Sequence, residues 1–208
     1  MSDALNRRPL TTRSARWAQA LAAALARSAI TPNQISLLSV VFALAGAALL
    51  VASPTPIGLI LSALCVQLRL LCNLLDGMVA VEGGKQSAVG VLYNELPDRV
   101  ADSLFLIALG HAIALPWLGW LAALLAALTA YIRVTGGSLG LAQDFRGPMA
   151  KPQRMAALTL GCVLGAIEWH ITLTQYALIF VAIVITAGTA LTCVVRTRAI
   201  AAQLRART

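Results

Sequence analysis

Asn73-Leu-Leu-Asp76-Gly77-Met-Val-Ala80-Val81-Glu82-Gly-Gly-Lys85-Gln-Ser-Ala-Val-Gly90-Val-Leu-Tyr-Asn94-Glu95-Leu-Pro97-Asp98-Arg99-Val-Ala-Asp102 is the polar stretch of an otherwise apolar sequence. On a helix, Asn73, Asp76, Gly77 and Ala80 stand at i, i+3, i+4 and i+7 and share one face. Gly90, Asn94, Asp98 and Asp102 follow at steps of four on a second helix. The Glu82-Gly83-Gly84-Lys85 turn between them predicts a helical hairpin whose two faces meet as an oxygen-lined site. An ionisable group at membrane depth costs roughly 3 kcal/mol or more, so such a cluster marks a wet cavity, an ion or a substrate.

Working outward, the 208 residues are 59% hydrophobic and only 12% charged, with a mean hydropathy of +0.82. These values belong to an all-α, polytopic integral membrane protein. Six stretches of about 20 residues match the thickness of a hydrocarbon core. They lie near 33–53, 57–81, 87–114, 116–137, 153–170 and 174–195. The third is the most polar, and is counted as a span because its polar residues can face a shared cavity.

Of the 16 lysines and arginines, Arg69 and Arg99 fall well inside spans, and Arg133 and Arg154 at span ends. The others gather in the N-terminal segment, after spans two and four, and in the C-terminal tail. The opposite connections, near 53–56, 111–116 and 169–174, carry none. This asymmetry places both termini and the polar cluster on the cytoplasmic side, with an inner bacterial membrane as the expected location. The net charge of +8 then reflects topology and anionic lipid headgroups, and no nucleic-acid partner is expected.

Residues 12–28 favour a helix, with Trp17, Leu21 and Leu25 at four-residue spacing and arginines elsewhere, which predicts an interfacial helix on the cytoplasmic leaflet. Thr31-Pro32-Asn33 turns the chain into the first span. The organisation expected is a cytoplasmic segment, 1–30, followed by one six-helix membrane domain, 31–208. Cys65, Cys72, Cys162 and Cys193 sit singly in spans and read as packing residues.

The oxygen-rich faces suit a hard cation, Mg²⁺ or Mn²⁺, better than a soft metal. A second polar group, Arg133, Asp144, Arg146, Lys151 and Arg154, follows span four. Arg133, Lys151 and Arg154 are the candidate phosphate binders, the arginines by a bidentate fork and Lys151 as a point charge. Arg69, one turn before Asn73, is expected to pair with Asp76 or to approach a phosphate.

The hairpin resembles the CDP-alcohol phosphotransferases of phospholipid synthesis. Their pattern is D-x-x-D-G-x-x-A-R, eight residues, then G-x-x-x-D-x-x-x-D. Asn73, Asp76, Gly77, Ala80, Val81, Gly90, Asn94 and Asp98 fall on it with every spacing intact. The departures are Asn73 and Asn94 at two of the four acidic positions and Val81 at the arginine. The resemblance implies that Asp76, Asp98, Asn73 and Asn94 supply metal ligands and that Asp98 activates the acceptor hydroxyl. It implies that Asn73, Gly77, Ala80, Gly90, Arg133, Lys151 and Arg154 contact the bound donor. The implied reaction moves a phosphatidyl or other substituted phosphate group from CDP-diacylglycerol, or another CDP-alcohol, to an alcohol acceptor with release of CMP. A homodimer is implied by the resemblance alone.

Two carboxylates fewer means a weaker metal site, or one ion instead of two. Glu95 and Asp102 are the residues that could compensate, and Asp102 could equally pair with Arg99. A family member that binds CDP-lipid without turning it over is the alternative reading. Transport ranks lower, because no repeat of broken helices is present.

Overall fold

The computed structural model describes residues 15–207. Residues 1–14 of the expected segment 1–30, with Arg7, Arg8 and Arg13, lie outside the described residues. Seven helices occur among the described residues, with no strand: α1 (Arg16–Arg27), α2 (Pro32–Ala52), α3 (Pro56–Val81), α4 (Gly90–Ala112), α5 (Pro116–Ser138), α6 (Lys151–Thr172) and α7 (Tyr176–Arg205). Five of them, α2, α3, α5, α6 and α7, are long and apolar enough to cross a membrane. The chain is therefore an integral membrane protein. Helix α4, the expected third span, is long enough at 23 residues but too rich in charge to qualify on composition.

Local chemistry sets the helix starts. Thr31 accepts from the backbone N–H of Gln34, and the Gln34 side chain accepts in return from the Thr31 backbone, a capping box ahead of Pro32. Thr55 caps α3 by accepting from the Gly58 backbone N–H, ahead of Pro56, without a reciprocal side-chain bond. Pro116 and Pro152 occupy first-turn positions of α5 and α6, where the missing N–H has no helical partner to lose.

The six long helices close into a ring. Helix α2 packs on α3 and α4, α4 on α5, α5 on α7, α7 on α6, and α6 returns to α3. Phe105, Leu106 and Leu109 of α4 fill the interior with Leu59 and Val66 of α3, Met155 and Leu158 of α6, and Ile185 of α7. Lipid is as apolar as these side chains, so close approach and polar contacts decide the packing. At the α4–α5 crossing, a Cβ on Gly119 would lie 2.9 Å from the Gly110 Cα and 2.6 Å from the Leu106 carbonyl oxygen, so only glycine fits there.

The hairpin expectation needs one correction. Helices α3 and α4 run antiparallel, since Arg69 meets Asp102 while Asn73 meets Asp98. They do not pack along their lengths, because α2 lies between them on one side and α6 approaches on the other. The gap left at the end bearing the 82–89 connection is the cavity described below.

Helix α1 docks on the bundle through its small residues. Ala18 and Ala22 are buried against Cys72, Leu75, Met78 and Val79, whereas Trp17 and Leu21 remain exposed. Small alanines allow the close approach to α3 that the larger residues would prevent. Lys85 donates to the carbonyl oxygens of Ser28 (2.6 Å) and Ile30 (3.1 Å), tying the 82–89 connection to the end of α1.

Candidate functional site

One cavity, of about 940 Å³, opens among the ends of α3, α4, α5, α6 and α7 that share the 82–89 and 139–150 connections. All ten expected site residues line it: Asn73, Asp76, Gly77, Ala80, Gly90, Asn94, Asp98, Arg133, Lys151 and Arg154. Helix periodicity explains this, because each set repeats at three- or four-residue steps on the face that lines the ring's interior, at the level beyond the apolar layer of Leu59, Val66, Phe105 and Leu109. Val81 also lines the cavity, half exposed.

Asp98 is the most heavily contacted of these groups. Its Oδ1 accepts from the Asn73 side-chain amide and from Arg69 Nη2 (3.3 Å), and its Oδ2 accepts from Lys151 Nζ. Arg99 Nη2 lies 3.5 Å from Oδ2. Asp76 differs. Its Oδ2 accepts from Ser36 Oγ (2.6 Å) and the Gly77 backbone N–H lies beside the carboxyl, but its Oδ1 is buried without a hydrogen-bond partner. A buried, unpartnered carboxylate oxygen is expensive. Its hard donor, beside the amides of Asn73 and Asn94, fits Mg²⁺ or Mn²⁺. Among the described residues, no three His, Cys, Asp or Glu side chains gather into a metal-binding group.

Behind Asp98 lies a buried ion-pair network. Asp102 Oδ1 accepts from Arg69 Nη2 at 2.7 Å, and its Oδ2 from Arg154 Nη2 at 3.0 Å. Arg154 also donates to the Met149 carbonyl oxygen at 3.0 Å. These pairings correct three expectations. Arg69 pairs with Asp98 and Asp102, not with Asp76. Asp102 pairs with Arg69 and Arg154, not with Arg99, and both of its oxygens are occupied. Glu95 receives Arg133 Nη2 on both oxygens (2.6 and 2.7 Å), so it too is engaged as an ion pair. The reason is common to all three: spacing along one helix cannot say which neighbour supplies the counter-charge across the cavity.

Arg133 is fixed further by Gln143 and lies over the Phe145 ring, 5.4 Å from its centroid. Two contributors escaped the sequence reading. Ser36 bonds Asp76 from α2, one turn after the Thr31-Pro32-Asn33 turn. Arg196, assigned to the tail, is buried in α7 and lines the cavity. It donates to the carbonyl oxygens of Arg146 (2.8 Å) and Thr129 (2.7 Å). Its signal is positional, since Thr189, Thr192, Arg196 and Ile200 form one buried stripe. In the 139–150 connection, outside the spans, Arg146 bonds Asp144 and holds its carboxyl below the usual carboxylate range.

Fold and site together define a helical membrane protein with a carboxylate pair and a basic wall around one cavity, the equipment of a phosphoryl-group transferase. No protein-family model matches the sequence. Over 147 residues it is 35% identical to the archaetidylinositol phosphate synthase of Aeropyrum pernix, spanning 69% of this chain and 72% of that protein. The chain belongs to the CDP-alcohol phosphotransferase family. Its fold matches the phosphatidylinositol phosphate synthase of Mycobacterium tuberculosis at 22% identity. The crystal structure with CDP-DAG bound gives a TM-score of 0.73 over 89% of this chain and 94% of that one. The complex with manganese and citrate gives 0.73 over 88% of each.

Proposed function

We propose that the chain transfers a phosphatidyl or related substituted phosphate group from a CDP-linked lipid to an alcohol, releasing CMP. The observation that carries this reading is the meeting in one cavity of Asp76, with its unpartnered oxygen, Asp98, and the basic wall of Arg133, Lys151, Arg154 and Arg196. The relatives guide the choice of substrates. One is named for archaetidylinositol phosphate and the other was crystallised with CDP-DAG. A phosphorylated polyol such as inositol phosphate is accordingly the acceptor proposed, because a basic wall suits an acceptor that carries its own phosphate.

In this reading the acceptor oxygen forms a bond to the lipid-bearing phosphorus, the phosphoanhydride bond to CMP breaks, and Asp98 orients the hydroxyl and receives its proton. Asp76 holds a Mg²⁺ or Mn²⁺ ion with help from the neutral oxygens of Asn73 and Asn94. When bound, that ion supplies charge neutralisation for the diphosphate. Gly77, Ala80 and Gly90 keep the cavity floor low enough for the nucleotide to lie against the helices. Arg133 holds phosphate, positioned by Glu95, whereas Arg154, buried on Asp102 and the Met149 carbonyl oxygen, fixes the start of α6 instead of meeting phosphate as expected.

Helix α4 serves as the sixth span, with its charges turned to the cavity and both termini in the cytoplasm of a bacterial cell. The lysines and arginines concentrated at the cavity end support this orientation. Helix α1, with Trp17 and Leu21 exposed, rests on the inner leaflet as part of a 1–30 segment preceding the 31–208 membrane domain. The chain works as a homodimer.

The test is CMP release by purified protein from CDP-diacylglycerol with Mg²⁺ or Mn²⁺, across a panel of alcohols that includes inositol phosphate. Release that depends on both metal and acceptor supports transfer. Metal-dependent binding of CDP-diacylglycerol with no CMP released under any acceptor would establish the alternative, a CDP-lipid-binding subunit. The crowding of cationic groups on Asp98 is the observation that favours that second reading.

A further inference from the structure

We infer that this chain holds one divalent cation, on Asp76, and that the Lys151 ammonium takes the place of a second cation on Asp98. The choice of a divalent metal rests on the phosphotransferase reading, while the division of labour between the two carboxylates rests on their contacts.

Those contacts are opposite in kind. Asp76 is 4% exposed, and none of the ion pairs described above reaches it; one oxygen has Ser36 and the other has no hydrogen-bond partner. Asp98 carries the Asn73 amide and Arg69 on Oδ1, and Lys151 with Arg99 on Oδ2. A carboxylate has about four lone-pair sites, and four N–H-bearing groups surround this one. A hard cation needs oxygen lone pairs turned toward it, and it is repelled by positive charge a few ångströms away. Asp76 meets the first condition and feels positive charge only from Lys151 beyond contact distance, whereas Asp98 has its lone pairs taken and three cationic groups against it.

Asn73 explains how the arrangement is tolerated. An ionised carboxylate only accepts hydrogen bonds, so the Asn73 amide must present its nitrogen to Asp98. A carboxylate at this position would repel Asp98 unless a cation stood between them. The amide removes that requirement, and Lys151, from the first turn of α6, supplies the positive charge that remains necessary. Counted over the cluster, Asp98 and Asp102 face Arg69, Arg154 and Lys151, so that side already carries an excess of positive charge. Asp76 has no direct ion pair with any of these, and only the charge of Lys151 reaches it, at longer range.

The test counts bound Mn²⁺ on the purified full chain, stripped of metal and without donor, from the loss of the free-ion paramagnetic resonance signal. One Mn²⁺ per chain is expected for the unaltered protein. Asp76→Asn should abolish it, and Asp98→Asn should leave it in place. Lys151→Ala should raise the count to two by releasing Asp98. Asn73→Asp provides an independent route to the same second site where the lysine variant does not fold, with a monodisperse elution profile as the criterion of folding. Two ions or none on the unaltered chain would overturn the inference. So would equal loss in the Asp76 and Asp98 variants, or a count fixed at one in both Lys151→Ala and Asn73→Asp. CMP release assayed on the same preparation separates the two claims. One bound Mn²⁺ without turnover rejects transfer alone, and two bound Mn²⁺ with turnover rejects the inference alone.

Discussion

Replacing Asp102 by Asn removes one negative charge from between two guanidinium groups that have almost no contact with solvent. Arg69 is 0% and Arg154 1% exposed. Arg69 Nε and Nη1 and Arg154 Nε already lack hydrogen-bond partners, so neither arginine has an alternative acceptor to fall back on. Arg69 would keep the Asp98 carboxylate at 3.3 Å and the Asp98 backbone carbonyl oxygen at 3.2 Å, Arg154 would keep the Met149 carbonyl oxygen at 3.0 Å, and the single amide oxygen left at position 102 could accept from only one of them. Breaking a buried ion pair by removing one partner costs about 3–5 kcal/mol, because an uncompensated charge stays behind. For a chain of this size each kcal/mol moves the melting temperature by about 2–4 °C. The expected fall for Asp102→Asn is therefore roughly 6–20 °C in thermal unfolding in one detergent. Arg69→Gln added to Asp102→Asn should recover part of it, with a coupling of at least about 1 kcal/mol, since it removes one of the stranded charges. Arg146→Ala is the control: its guanidinium is 63% exposed, and a solvent-screened pair of this kind contributes about 1 kcal/mol at most. If Asp102→Asn lowered the melting temperature no more than Arg146→Ala, the account of a tightly coupled buried network would fail.

Two further outcomes follow from the packing and the loop. Gly119→Leu should destabilise the bundle by about 1–3 kcal/mol through overpacking at the α4–α5 crossing, and an unchanged melting temperature would show that the crossing can open freely. Asp144 has a depressed folded-state pKa, so its stabilising effect is present above its unfolded value, near pH 3.9, and is lost as pH falls through the folded one. Hydrogen exchange at the Met149 N–H, which donates to Thr192 Oγ1 at 2.9 Å, should then rise below about pH 4 once corrected for intrinsic rates. Exchange that stays flat to pH 3 would exclude Asp144 from holding the 139–150 connection.

How much of this could be read from residues alone depended on whether a feature was local. The two polar faces, Asn73 to Ala80 and Gly90 to Asp98, follow from three- and four-residue spacing, and the structure brings both to the cavity with Arg133, Lys151 and Arg154. The start of α2 was legible because Thr31-Pro32 is a capping signal. Partners across the cavity were not legible. Asp102 selects Arg69 and Arg154 over its sequence neighbour Arg99 because ring closure brings α3 and α6 to its side of α4. Arg196 was hidden for a related reason: a basic residue near the end of an apolar stretch looks like an anchor until its neighbours Thr189 and Thr192 are seen to be buried. That α1 also docks on α3 was not legible, because its large residues mark only the side left exposed, and the contact itself is made by Ala18 and Ala22.

In the proposed reaction this cavity performs metal-dependent group transfer, with Asp98 as the group that handles the acceptor proton. The most direct measurement is CMP release from CDP-diacylglycerol against Mn²⁺ concentration, in the presence of inositol phosphate, for the unaltered chain and for Asp98→Asn. Saturable, metal-dependent release that falls by about 10²-fold or more in Asp98→Asn, while the variant still binds Mn²⁺, is the result expected. CMP release by Asp98→Asn at the unaltered rate would contradict it.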